Sequence, residues 1–269
     1  MIAILPSETL IQALESSESA YMADRMTAIR NRPGNPEGVE MERFGSALCL
    51  YSKSMPWPAF NTVKGLTSAD IDFVDPILDF YRARGRKAQV EIVPSRADRQ
   101  LLERLSSRGL YQSGFHTSLY ADPAAFHEDE RQHVTVRELR EDQFHTYATI
   151  HCRGTGLADN GITPVAENNK VLFHRPGWTF FIAYVEEEPA ATAVMFSQDG
   201  IASFTFAATL PQFRGQGLHG GLLARRLLEA KRQHCRLAVS QCSLLSQSHR
   251  NMERAGMRIG YVKATWTEQ

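Results

Sequence analysis

The segment that most constrains this chain runs from Phe204 to Leu223, Phe-Thr-Phe-Ala-Ala-Thr-Leu-Pro-Gln-Phe-Arg-Gly-Gln-Gly-Leu-His-Gly-Gly-Leu-Leu. A strand ends near Leu210, because Pro211 has no N–H to give to a ladder. Gly215, Gly217, Gly220 and Gly221 then lead into a leucine-rich helix over residues 217–233, whose Leu218, Leu222, Leu223, Leu227 and Leu228 fall on one side. The free N–H groups of a helix start, with the positive end of its dipole, attract phosphate. Glycines let the backbone come close to a ligand, and Arg214 adds a cation. Such a turn is a cradle for a pyrophosphate. A glycine-rich start that binds nothing is disfavoured, since four glycines cost stability without a ligand.

The rest of the chain supplies alternating helices and strands. The first half predicts a helix over 10–29, capped by Ser7 and stopped by Pro33-Gly34. Strands follow over 39–43, 47–51 and 60–64. A helix lies within 66–85, with Pro76 forcing a kink or a later start. Then come a strand (88–93), a helix (96–108) and a strand (111–120). The second half predicts a strand over 134–138 and helices over 142–152 and 165–174. Strands over 179–186, 190–196 and 201–210 are joined at Glu187-Glu188-Pro189 and Asp199-Gly200. After the long helix come a strand (236–239), a helix (248–255) and a last strand (257–266). Both halves end strand–helix–strand–helix–strand, which hints at a duplicated unit.

The seam between them is expected at 121–132, a polar run with Pro123. The formal net charge is zero over 269 residues, but it divides there. Residues 1–130 hold 14 Lys+Arg and 18 Asp+Glu; residues 131–269 hold 16 and 12. The halves therefore carry −4 and +4, and the basic one contains the cradle. Zero net charge disfavours a nucleic-acid binder relying on bulk electrostatics. With 43% apolar and 22% charged residues, the composition is that of a soluble globular protein. The start, Met1-Ile2-Ala3-Ile4-Leu5-Pro6, lacks the basic region and apolar length of a secretory signal. The longest apolar run, residues 178–185, is under half a membrane span. Four dispersed cysteines without a C-x-x-C pair read as free thiols in the cytoplasm. Cys235 and Cys242 have neither the spacing nor the histidines of a metal site, and no metal is expected.

Two anion motifs compete in the cradle. Gly215-x-Gly217-x-x-Gly220 fits the dinucleotide fingerprint, but that turn belongs after a first strand, with an acidic residue ending the next. Here it lies in the last quarter, and residues 236–242 contain no carboxylate. Residues 133–269 instead resemble the GCN5-related N-acetyltransferase (GNAT) superfamily, whose acyl-CoA signature reads strand, Pro-x-x, then Arg/Gln-x-x-Gly-x-Gly/Ala into a helix. Anchored on Pro211, this is Arg214-x-x-Gly217-x-His219, with His219 where the family has a small residue. Gln212-x-x-Gly215-x-Gly217 fits literally; the first register is preferred because it starts the helix at Leu218. His219 then either crowds the phosphates, contacts them with its ring, or lies on the surface. The stretch from Ser246 to Met257 resembles the family's later helix, and Asn251 is carried over as a contact to the cofactor. The family's general-acid tyrosine is Met252 here, which has no proton to donate.

The resemblance implies an α/β fold of the α+β, mixed-sheet type. It consists of two domains on this plan, each a mixed, mostly antiparallel sheet flanked by helices. It implies acetyl-CoA bound by Ala207, Ala208, Thr209, Arg214, Gly215, Gln216, Gly217, Leu218, His219, Gly220 and Asn251. The 207–209 backbone would pair with the pantetheine amides, where its strand splays from 236–239, and one N–H would polarise the thioester. An amine of a small-molecule acceptor would attack directly, needing a base but no metal. The catalytic residues are unassigned: His145, His151 and His174 lie in helices that border the acceptor side in this family, and each has an ordinary surface or core reading. Adjacent His151 and Cys152 point apart on a helix. Cys242 is a proton-donor candidate or a buried thiol; Glu186-Glu187-Glu188 is a solvated turn or an attractor of amines. Residues 39–120 resemble a degenerate copy lacking the cradle, so 1–130 is expected not to bind CoA, and 131–269 to be catalytic. Alternatives are a non-catalytic acyl-CoA-binding or sensor protein, and a protein N-terminal or lysine acetyltransferase. The expected partners are acetyl-CoA and an amine, not nucleic acid or membrane, in a monomer or homodimer.

Overall fold

The computed structural model describes residues 5–127 and 134–269. Part of the expected seam, residues 128–132, and the first four residues of the expected non-signal start lie outside them. Two compact units are present, Met1–Ser118 with Ile259–Gln269, and Leu119–Arg258. The last strand, placed by sequence with the second half, thus belongs to the first unit.

In the first unit, α1 (Glu8–Arg30) starts at Ser7, whose Oγ accepts from the Leu10 N–H at 3.2 Å. Its Leu10, Leu14, Tyr21, Met22, Met26 and Ile29 are buried. Then come β1 (Val39–Phe44), β2 (Ala47–Ser52) and β3 (Val63–Lys64). The third is shorter than expected, because Pro58–Phe60 forms a 3-10 turn. A second 3-10 turn, Ser68–Phe73, leads into α2 (Val74–Arg82). Pro76 therefore sits in the first turn of an α-helix, where its missing N–H costs nothing. After β4 (Gln89–Ile92) and α3 (Arg99–Ser107), β5 (Leu110–Ala121) begins in this unit. The strand order is β1-β2-β3-β4, then the chain's last strand, then β5. Here β3 and β4 pair in parallel, while β1 with β2, β2 with β3, and β4 with the last strand pair antiparallel.

The second unit continues with β6 (Thr135–Glu138), α4 (Phe144–Thr155) and α5 (Ile162–Lys170). The fifth helix starts earlier than expected, since Pro164 is tolerated in a first turn, and it stops at Lys170. His174 consequently lies past it. Next are β7 (Trp178–Val185), β8 (Glu188–Gln198) and β9 (Ile201–Thr209), joined by tight turns. Glu186 (φ 54°), Asp199 (φ 52°) and Gly200 (φ 74°) take the left-handed backbone that two-residue hairpins require. The unit is completed by α6 (Leu218–Arg232), β10 (Leu237–Cys242) and α7 (Gln247–Arg254). Then β11 (Arg258–Glu268) carries the chain into the first unit. The strand order here is β10-β9-β8-β7-β6, parallel at β10/β9 and antiparallel elsewhere. The strands form one mixed sheet, mostly antiparallel in the pairings of each unit and flanked by helices.

The sixth helix packs Leu218, Leu222, Leu223 and Leu227 against Phe181, Met195 and Phe204. Leu228, expected on that side, is half-buried, while Arg226 and Glu229 are buried. The first-unit core of α2 and the first sheet gathers Val63, Val74, Ile77, Leu78, Tyr81 and Val90.

The first unit also buries Glu18, Lys64 and Lys263 and half-buries Glu91. The Lys64 Nζ lies 2.8 Å from Glu18 Oε1 and 2.7 Å from Glu91 Oε2; the Lys263 Nζ lies 2.6 and 2.7 Å from the same two oxygens. Burial alone raises a carboxyl pKa, but Lys263 and Lys64 outweigh it and hold Glu18 and Glu91 below the usual range.

Candidate functional site

Strand β9 is irregular where the site begins. Thr192 of β8 pairs with Ala208, but Val194 pairs with Thr205, so three steps on β9 face two on β8. Phe206 absorbs the extra residue with φ 49°. On the other side, the β10/β9 register runs from Leu237↔Ile201 to Ser240↔Phe204, while β9 continues to Thr209 and β10 to Cys242. The Ser240 Oγ donates to the Phe204 carbonyl at this last rung, at 3.0 Å. Beyond it, the 205–209 edge is released from the β10 register.

The loop after β9 turns through Pro211–Phe213, and the Arg214 backbone is extended. Gly215 (φ 83°) and Gly217 (φ 77°) are left-handed, and Gly217 caps α6. No atom lies within 4 Å of where a Cβ on either glycine would stand. The Gly221 N–H makes the first helical bond, to the Gly217 carbonyl at 3.0 Å. The N–H groups of Leu218, His219 and Gly220 therefore have no acceptor within the helix. Gly221 is a glycine for another reason: its Cβ would stand 2.6 Å from the Val134 Cβ.

These parts enclose a cavity of about 870 Å³. Ala207, Ala208, Thr209, Arg214, Gly215, Gly217, Leu218, His219, Gly220 and Asn251 line it. Gln216 is exposed and does not. The Arg214 guanidinium donates through Nη2 to the Gly154 carbonyl of α4 at 2.9 Å. Gly154 itself lies against β9: a Cβ there would be 3.0 Å from the Ala208 Cβ and the Thr209 oxygen. Sequence reasoning missed Gly154, Arg225, Gln247, Ser248 and Arg254 as lining residues. The last three come from the start and end of a helix whose Asn251 it did find. Nothing local marks Gly154, a helix residue that matters through a strand more than fifty positions away.

His219 is half-buried, its Nδ1 3.1 Å from the Asn251 Nδ2. Burial, and then the charge of Arg226, push the imidazole pKa down to about 4, so the ring is neutral near pH 7. Arg226 is itself 1% exposed. Its Nε donates to the Leu222 carbonyl and its Nη1 to the Val194 carbonyl, while its guanidinium lies over the Phe204 ring at 4.8 Å. Its Nη2 has no partner among the described residues, and burial pushes its pKa down to about 9.

The candidate proton-transfer groups sort clearly. His145 and His174 are exposed, and His174 lies 3.4 Å from Glu141. His151 stacks on Tyr147 and meets the edge of Phe206 at 6.4 Å between ring centroids, which puts it against the bulge. Cys152 and Cys242 are buried, and burial raises both thiols. Glu187 is held by the Arg137 guanidinium at 3.0 and 3.1 Å, which lowers its pKa. Met252 is buried in the core.

In the first unit, the corresponding strand-to-helix turn is filled by the chain itself. The Asp70 carboxylate accepts from the Ser46 N–H (2.9 Å), Thr67 N–H (3.0 Å) and Thr67 Oγ1 (2.7 Å). The Ser46 hydroxyl donates to it as well. Gly45 makes room, since a Cβ there would collide with this carboxylate.

No family model and no curated protein matches the chain. Solved structures do. A GCN5-related N-acetyltransferase from Kribbella flavida superposes with a TM-score of 0.67, covering 95% of each chain at 15% identity. A conserved protein of unknown function from Staphylococcus epidermidis gives 0.63 over 86% of this chain and 94% of its own, at 13% identity. A tandem GNAT protein from the clavulanic acid biosynthesis pathway gives 0.55, covering 71% and 67%, at 14% identity. The chain therefore has the fold of the GCN5-related N-acetyltransferases.

Proposed function

We propose that the second unit is an N-acetyltransferase that moves the acetyl group of acetyl-CoA to an amine of a small-molecule acceptor. One observation carries this reading: a released strand edge and a glycine-capped helix start open onto the same cavity of about 870 Å³. The residues fit the cofactor. The N–H groups of Leu218, His219 and Gly220 suit a diphosphate, and the open space beside Gly215 and Gly217 admits it. Arg214 adds a cation at the cavity wall, held by its bond to the Gly154 carbonyl. The edge from Ala207 to Thr209 offers backbone groups to the amides of the pantetheine arm. Acetyl-CoA supplies an activated acyl carbon.

The chain's own part is to orient and to handle charge. A β9 N–H donates to the thioester oxygen as it becomes an oxyanion. The amine nitrogen bonds the acyl carbon, the carbon–sulfur bond breaks, and the sulfur leaves with its electron pair. The ammonium proton must be removed first, and we assign this role to His151, whose ring meets Phe206 at the bulge. The nitrogen sheds its surplus proton as the amide forms; Met252 cannot relay a proton to the sulfur, so solvent water carries this one to the thiolate.

To the first unit we assign no CoA site, because the Asp70 carboxylate sits in its strand-to-helix turn, where it opposes a second anion. A second reading is a non-catalytic acyl-CoA sensor, favoured by the buried Met252 where the family has a donor. CoA release from acetyl-CoA, measured with a panel of amines, separates the two. Stimulation by an amine supports transfer; binding without stimulation by any amine supports the sensor; no binding refutes both.

A further inference from the structure

The atoms around His219 fix which of its nitrogens carries the proton. The Asn251 Oδ1 lies 3.1 Å from Arg254 Nη1, which can only donate, and 2.9 Å from Gln247 Nε2. That sets the orientation of the Asn251 amide: its oxygen faces Arg254, and its Nδ2, a donor, faces His219. The His219 Nδ1, 3.1 Å away, must then accept. A neutral ring with a bare Nδ1 carries its hydrogen on Nε2. Protonating Nδ1 would turn a donor against a donor, near the cation of Arg226 on its own helix. No described residue bonds Nε2, and the ring lines the cavity next to the free N–H groups of the first turn of α6.

We infer that His219 is a neutral Nε2–H donor to a phosphoryl oxygen of the ligand, and that Asn251 is the positioning residue that holds it in that tautomer. This reassigns Asn251: with its oxygen bound to Arg254 and Gln247 and its nitrogen to His219, it acts through the ring instead of on the ligand. It also explains a histidine where the signature calls for a small residue. The ring adds a fourth donor beside three backbone ones, without a charge that would vary with pH. The inference rests on the acyl-CoA reading above.

The test uses the full-length protein and CoA. In long-range 1H–15N spectra of histidine-labelled protein, the His219 Nδ1 should show the shift of an unprotonated nitrogen and Nε2 that of a protonated one, from pH 6 to 8. The reverse pattern, or two averaged shifts, overturns the proposal, and this measurement needs no variant to fold. In calorimetry, H219F should weaken CoA binding by about 10- to 100-fold, the loss of one hydrogen bond to a charged group. N251A should average the two nitrogen shifts and lower affinity; unchanged shifts would overturn the positioning role. The 31P resonances of the bound diphosphate should differ between wild type and H219F; if they do not, the donor does not serve phosphate. Wild-type protein that binds CoA while H219F, folded by its melting curve, binds it equally well refutes this inference alone. Wild-type protein that binds no CoA refutes the reading beneath it.

Discussion

Replacing Gly217 by glutamate probes the cradle at the point where backbone and ligand meet. Gly217 caps α6 at φ 77°, so any side chain there costs roughly 1–2 kcal/mol of left-handed strain. Nothing stands within 4 Å of the new Cβ, so no steric cost is added. Stability should fall by only that amount, about 2–8 °C in melting temperature for a unit of this size. Binding should suffer more. A carboxylate about 5 Å from a phosphoryl charge, at an effective dielectric of about 20, opposes it by about 3 kcal/mol. It also competes for the N–H groups of Leu218, His219 and Gly220. With some solvent screening, CoA affinity should drop roughly 30- to 150-fold. Gly217→Ala is the control: equal strain, no charge, and most of the affinity retained. Calorimetry with CoA and thermal melts of the three proteins decide it. A folded Gly217→Glu protein that binds CoA within threefold of wild type would refute the register that starts α6 at Leu218.

Other perturbations address other parts. Lys263→Met removes one of two cations that neutralise Glu18 and Glu91, and urea unfolding should show a loss of about 3–5 kcal/mol; a loss under about 1 kcal/mol would mean the cluster tolerates excess negative charge. The same carboxylates have folded pKa values below the unfolded value of 4.5, so the unfolded chain binds more protons. Their stabilisation is present above about pH 4.5 and lost as pH falls below it; acid unfolding followed by circular dichroism should show this, with a smaller pH dependence in Lys263→Met. His151→Gln should slow acetyl transfer by about 100-fold or more while leaving CoA affinity unchanged; an unaltered turnover would place the base elsewhere. Arg226→Met removes the cation that disfavours a protonated His219, so the imidazole pKa should rise from about 4, as read by histidine NMR titration. No rise would mean burial alone sets it.

Short-range chemistry made part of this molecule legible from its residues. Pro211, Gly215 and Gly217 announce the strand end, the open loop and the helix cap because each acts on its own backbone. Asp199-Gly200 marks its hairpin for the same reason. The shortfalls lie where distance along the chain is large. Lys263 meets Glu18 across 245 positions, and no local pattern reveals that a lysine on the final strand is buried. Arg226 reads as one more polar residue on an amphipathic helix, until Val194 and Phe204 are seen to enclose it. The helix expected over 165–174 includes His174, whereas α5 begins three residues sooner and ends at Lys170.

The Asp70 turn makes the two units unequal in their dependence on solution conditions. A turn that holds its own carboxylate opposes a second anion at every ligand concentration, whereas the first turn of α6 carries no acidic residue. Its occupancy, and with it the second unit's resistance to opening, follows the concentration of free ligand as RT ln(1 + [L]/Kd). Hydrogen exchange would separate them directly: CoA should slow the amides of Leu218, His219 and Gly220 and leave those of Ser46 and Thr67 unchanged. On this reading the first unit is a scaffold of fixed stability. The second is a gauge that firms with the logarithm of the acyl-CoA around it.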